Sequence, residues 1–113
     1  MKIELLYFEG CPSYRVAEGW LGEALAEANM SDPIRMIEIK TETDAQRWKF
    51  LGSPTIRFDG VDPFEHGEAE YGLECRVYLT PAGLRGWPTK DMLRVALHNV
   101  ARQQDDLTLM HPA

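Results

Sequence analysis

Residues 3–14, Ile3-Glu4-Leu5-Leu6-Tyr7-Phe8-Glu9-Gly10-Cys11-Pro12-Ser13-Tyr14, decide how the rest of the chain is read. Five of the six residues from Ile3 to Phe8 are apolar, which suits a strand buried on both faces better than an alternating surface strand. Gly10 allows a sharp turn. Pro12, with its fixed φ and no N–H, suits the first helical position and puts Cys11 at or just before a helix N-terminus. Unpaired N–H groups and the positive end of the helix dipole point at a side chain placed there. A thiol so placed can lose its proton well below the free value of about 8.5, and the thiolate is the reactive form. On this stretch alone, a small buried cysteine packing as a hydrophobe fits equally well.

The 113 residues make one domain, long enough to bury a core without metal or disulfide support. The formal net charge of −6, from 18 acidic against 12 basic residues and with no Lys/Arg cluster, argues against nucleic acid or an anionic membrane as main partner. Met1-Lys2 leads into a short apolar run that contains Glu4, neither a signal-peptide core nor a membrane span, so a cytoplasmic location is expected. Two cysteines 64 positions apart make no disulfide framework, and a reducing cytosol favours free thiols.

Beyond Cys11, Val16, Ala17, Trp20, Leu21, Ala24, Leu25 and Ala28 form one stripe of a helix that Asn29 and Pro33 stop. Gly19 and Gly22 inside it are expected to mark close packing. Residues 34–40 read as a second strand. Thr43 and Gln46 have capping-box spacing for a weaker helix ending at Gly52. Ser53-Pro54-Thr55 opens a third strand through Phe58, a place where a cis peptide is plausible. Residues 61–74 form a long acidic loop. Cys75, Val77 and Leu79 then alternate with Arg76 and Tyr78 as a fourth strand, antiparallel to the third. Pro88 starts the last helix, with a stripe through Met92, Leu93, Ala96, Leu97, Val100 and Ala101. From residue 103 to 113 the periodicity is gone, giving a domain over 1–102 and a poorly ordered tail.

The order strand, cysteine at a helix start, helix, strand, helix, then Ser53-Pro54-Thr55 opening a strand resembles the thioredoxin superfamily. More narrowly, Phe8-Glu9-Gly10-Cys11-Pro12, the run from Phe50 to Arg57 and Cys75-Arg76-Val77-Tyr78 look like a family of small bacterial thioredoxin-like proteins, some loosely labelled alkylmercury-lyase-like. The resemblance implies an α/β, thioredoxin-like β-α-β-α-β-β-α fold. Its four-stranded mixed sheet would have order 2-1-3-4 and helices on both faces. It also implies that Pro54 is cis and lies against Cys11, and that Pro12, Ser53, Pro54 and Thr55 line a cleft for a partner held in mixed disulfide.

One departure bears on activity. A Cys-x-x-Cys motif would put a second cysteine at position 14, and Tyr14 stands there. A lone Cys11 cannot release a mixed disulfide by the intramolecular route. Tyr14 is the second catalytic candidate, donating a hydrogen bond to the Cys11 thiolate or acting as a proton donor; the alternative is that it packs over the helix start. In the implied topology, strand and inter-strand spacings of about 3.3 and 4.8 Å put Cys75 well over ~10 Å from Cys11, while a disulfide needs Cα atoms within about 7 Å. Cys75 is therefore expected to be a buried core cysteine.

The expected function is a monothiol, thioredoxin-like oxidoreductase with Cys11 as nucleophile and a protein or small-molecule thiol or disulfide as partner. Alternatives are a non-catalytic binding module and a soft-metal or organomercurial thiolate binder. No cofactor is called for. His66, His98 and His111 share no ligand spacing, so no metal site is expected; His66 with Asp62, Glu65 and Glu68 reads as a solvated acidic loop.

Overall fold

The computed structural model describes residues 1–64, 66 and 70–110, the last seven of these by their backbone. The elements are β1 (Ile3–Tyr7), α1 (Ser13–Glu27), β2 (Ile34–Glu38), α2 (Glu42–Arg47), β3 (Thr55–Phe58), β4 (Tyr78–Thr80), β5 (Gly83–Arg85) and α3 (Lys90–Met110). β1 is central in a three-stranded sheet of order β2-β1-β3. It runs parallel to β2 from Ile3 opposite Ile34 to Tyr7 opposite Glu38, and antiparallel to β3 from Ile3 opposite Phe58 to Leu6 opposite Thr55.

Alternation along β1 divides the core between the two faces. Ile3 and Leu5 pack with Ile56, Phe58, Ala17, Leu21 and Ala24 of α1, and Leu93 and Leu97 of α3. Leu6 points the other way, to Ile39, Ala45 and Phe50 around α2. Each fully buried Leu, Ile or Phe contributes about 1.5–3 kcal/mol, so β1, buried on both faces, anchors the molecule. Helices on both faces of a mixed sheet match the expectation. Among the described residues, no helix is long and apolar enough to cross a membrane.

The fourth strand of that sheet is not formed. Tyr78–Thr80 pairs instead with Gly83–Arg85 as a separate antiparallel hairpin, and Cys75 makes a single parallel bridge to Ser53. The cause lies in where the acidic loop ends. Its described end lies against α2 and the residues before β3, where Gln46 Nε2 donates to Tyr71 O at 2.9 Å and Gly72 N to Phe50 O at 3.2 Å. The chain therefore returns to the start of β3 rather than turning back at its end, and continues in the direction of β3.

Smaller differences are local. α2 is capped by Thr41, whose Oγ1 accepts from Asp44 N at 3.0 Å, not by Thr43. It ends at Arg47, with Lys49 at φ 53° beyond it. An added Cβ at Gly19 or Gly22 would meet nothing within 4 Å, so neither glycine marks close packing. α3 runs on to Met110, past the end of its apolar stripe, and of the expected tail only residues 111–113, His111 among them, lie outside the described residues.

Candidate functional site around Cys11 and Cys75

Cys11 follows the turn after β1 and precedes Pro12, the N-cap of α1, whose helix has no side-chain cap. Its N–H donates to Phe8 O at 3.2 Å, closing that turn. On the other side stands the segment before β3, where the Ser53–Pro54 peptide is cis. Ser53 Oγ accepts from Phe8 N at 3.3 Å, tying this segment to the end of β1. Cys11 Sγ lies 3.6 Å from Ser53 O. The expected juxtaposition of Cys11 with the Ser53-Pro54 turn is present.

Cys75 is not a distant core cysteine. It is disulfide-bonded to Cys11, with the Cα atoms 5.8 Å apart, inside the range a disulfide allows. The >10 Å expectation assumed a fourth strand antiparallel to the third. The parallel return of the chain brings Cys75 to the opposite end of β3, beside Cys11. Exposure divides the pair: Cys11 is 1% exposed, whereas Cys75 is exposed. Attack from solvent on this bond therefore meets Cys75.

The 74–76 segment occupies the backbone groups of the cis-proline turn. Ser53 N donates to Glu74 O at 2.8 Å and Arg76 N donates to Ser53 O at 2.9 Å. Tyr78 Oη donates to Pro54 O at 2.5 Å. Thr55 Oγ1 donates to Gly52 O at 2.6 Å, and Thr55 stands opposite Leu6 in the sheet. Ser53, Pro54 and Thr55 are all buried, while Pro12 is exposed. Burial pushes the Tyr78 phenol far above its ordinary pKa, with Arg76 opposing and Asp62 adding to the shift.

Arg76 holds the segment down. Its guanidinium meets Asp62 through two contacts of 2.5 and 3.3 Å, and lies 4.6 Å above the Tyr78 ring. Both side chains of the pair are almost wholly buried, so the charge is answered within the fold.

Tyr14 is engaged by other partners than the sulfur. Its hydroxyl donates to Glu9 Oε1 at 3.1 Å, and its ring stacks on Tyr7 with centroids 4.2 Å apart. Burial first, then the hydrogen bond to Glu9, hold its pKa above that of free tyrosine. Of the alternatives read from the sequence, this geometry is the packing one. Among the described residues, no group of three His, Cys, Asp or Glu is placed to hold a metal ion. Glu65 and Glu68, named with His66 and Asp62 as an acidic loop, lie outside those residues. The residue whose role sequence reasoning missed is Cys75; the expected alternation is present with its faces exchanged, Arg76 and Tyr78 buried and Cys75, Val77 and Leu79 exposed.

Comparison of the chain with protein-family models, curated proteins and solved structures finds no match. The fold and the site define the class: an α/β protein with a three-stranded mixed sheet, a small two-stranded hairpin and, among the described residues, one bonded cysteine pair.

Proposed function

We propose that the protein is a thioredoxin-like thiol–disulfide exchange protein, acting in the cytoplasm, whose redox pair is Cys11 and Cys75. The observation that carries this reading is the bond between a buried cysteine at a helix start and an exposed cysteine, next to the cis-proline turn. The β-α-β-α-β order with these features supports the superfamily resemblance. In a reducing compartment, disulfides that form are mostly transient and catalytic or sensing, which suits a bond with one accessible half.

The chemistry follows from the asymmetry. An incoming thiolate attacks Cys75, and Cys11 is the leaving sulfur. In reverse, Cys75 captures a disulfide and Cys11 resolves it. The monothiol expectation, with Cys11 as entering nucleophile, gives way to a two-cysteine cycle in which Cys11 acts second. Tyr14, held by Glu9, has no proton-transfer step. The alternative reading, a non-catalytic binding module, draws on Tyr14 standing where a Cys-x-x-Cys motif has its second cysteine; Cys75 offers a second cysteine from another part of the chain.

The test is reduction of a glutathionylated peptide or insulin by wild type, Cys11→Ser and Cys75→Ser. Activity above background that is lost in Cys75→Ser supports the reading. Cys11→Ser is expected to stall as a mixed disulfide on Cys75, visible by mass. Equal background rates in all three proteins overturn it.

A further inference from the structure

We propose that the cavity beside Cys75 receives a small thiol or disulfide bearing positive charge, an amine-bearing molecule in preference to a carboxylate-bearing one. This rests on the exchange reading above and names the substrate class for that site. The cavity has a volume of about 390 Å³ and is lined by Leu51, His66, Glu70, Glu74, Cys75, Arg76 and Val77. That is the size of a small-molecule site, and the exposed half of the disulfide is part of its wall.

Apart from His66, the uncommitted charge of its wall is negative. Glu70 and Glu74 contribute two carboxylates, and among the described residues neither enters an ion pair. Arg76, the one basic side chain of Lys or Arg type in the wall, is buried and committed to both carboxylate oxygens of Asp62. Glu42 adds a third carboxylate just outside, with Oε1 accepting from Leu73 N at 3.3 Å. The field at Cys75 thus favours cations and opposes anions, and it weakens as salt is added. A protein partner would need backbone groups to pair with, and those of Ser53 and Pro54 are already bonded to Glu74, Arg76 and Tyr78.

The step balances as ordinary exchange. The thiolate of the amine-bearing thiol attacks Cys75 Sγ and forms a mixed disulfide. The Cys11–Cys75 bond breaks, its electron pair leaves on Cys11, and that sulfur takes a proton, with Ser53 O at 3.6 Å as acceptor for the new S–H. A second thiolate attacks the small-molecule sulfur of the mixed disulfide. It releases the small disulfide and leaves Cys75 as a thiolate. Two thiols lose two electrons, and the protein disulfide gains them.

The experiment measures the rate of opening of the Cys11–Cys75 bond by cysteamine and by 3-mercaptopropionate, each rate expressed per thiolate, in wild type and in the exposed double variant Glu70→Gln/Glu74→Gln. The expected result is a cysteamine-to-mercaptopropionate ratio about tenfold higher in wild type than in the variant at low salt, with the gap closing at high salt. Equal ratios in the two proteins overturn the charge preference while leaving the exchange reading intact. A bond that neither thiol opens, or that never forms, overturns both.

Discussion

Cys75 stands opposite Ser53 in a parallel bridge, with the hydrogen bonds of its two neighbours closing on Ser53 from both sides. Gly52 makes the approach possible. It has φ 109°, and a Cβ there would come within 3.1 Å of Arg76 N, Arg76 Cβ and Glu74 O. Backbone on that side has little room to give. Gly52→Ala is expected to cost about 1–3 kcal/mol and to push the 74–76 segment away from Ser53. Urea denaturation, together with faster amide exchange at Ser53 and Arg76, checks it; unchanged exchange would contradict the account.

The Cys11–Cys75 bond links positions 64 apart in sequence, and closing a loop of that length stabilises by about 4 kcal/mol in the chain-entropy picture. Reduction, or Cys75→Ser, should lower the unfolding free energy by about 2–4 kcal/mol. The linked peptide should appear in nonreducing mass maps of the wild type. Identical denaturation midpoints with and without reductant would remove the bond from the stability of the native state.

Once the pair is reduced, burial predicts the order of labelling. Cys11, at 1% exposure, reacts only when the structure opens locally, whereas Cys75 is open to solvent. Iodoacetamide should label Cys75 faster by an order of magnitude or more. Peptide-resolved mass spectrometry at short times measures both sites in one sample. Preferential labelling of Cys11 would reverse the roles assigned to the two sulfurs.

Gly19 and Gly22 sit exposed inside α1, with open space where a side chain would go. Replacing glycine by alanine in a helix interior gains up to about 1 kcal/mol. Gly19→Ala and Gly22→Ala should each raise the denaturation midpoint, and their effects should add. A loss of stability would mean that the helix meets a partner on this face.

Alkaline stability should follow the tyrosines. Tyr78 is the extreme case, its pKa raised by burial, and Tyr7 is raised by burial and then by Glu38. A folded-state pKa above the unfolded one means that the native protein keeps a proton the unfolded chain has released. Stability is then intact below about pH 10 and falls as pH rises above it. Unfolding free energies of the oxidised protein should show this decline, and Tyr78→Phe should make it shallower. An unchanged slope in the variant would mean that the Tyr78 phenol ionises without unfolding.

Much of the fold was legible because its signals are local. The apolar run of β1, the stripes of α1 and α3, and the Ser53-Pro54-Thr55 opening of β3 each announce an element within a few residues. The order β2-β1-β3 followed from the superfamily resemblance those elements raised. The path from Gly60 to Cys75 was not legible, since its direction rests on contacts between distant residues, Arg76 with Asp62 and Tyr78 with Pro54. The α2 cap shows a smaller version of the problem. Thr41 and Thr43 both have a partner three residues on, and spacing alone does not rank them. The candidate site was half visible: Cys11 and Pro54 from local sequence, Cys75 only from the path.

The segment bonded across Ser53 is part of the same polypeptide, so it meets the cis-proline turn as an intramolecular competitor. A tethered group of this kind acts at an effective concentration in the millimolar range, beyond what most free proteins reach. Any other chain seeking those backbone groups must outcompete a rival that never diffuses away. The Cys11–Cys75 bond adds a covalent tie to a segment that its backbone hydrogen bonds, the Tyr78 hydroxyl and the Arg76–Asp62 pair already hold over the turn.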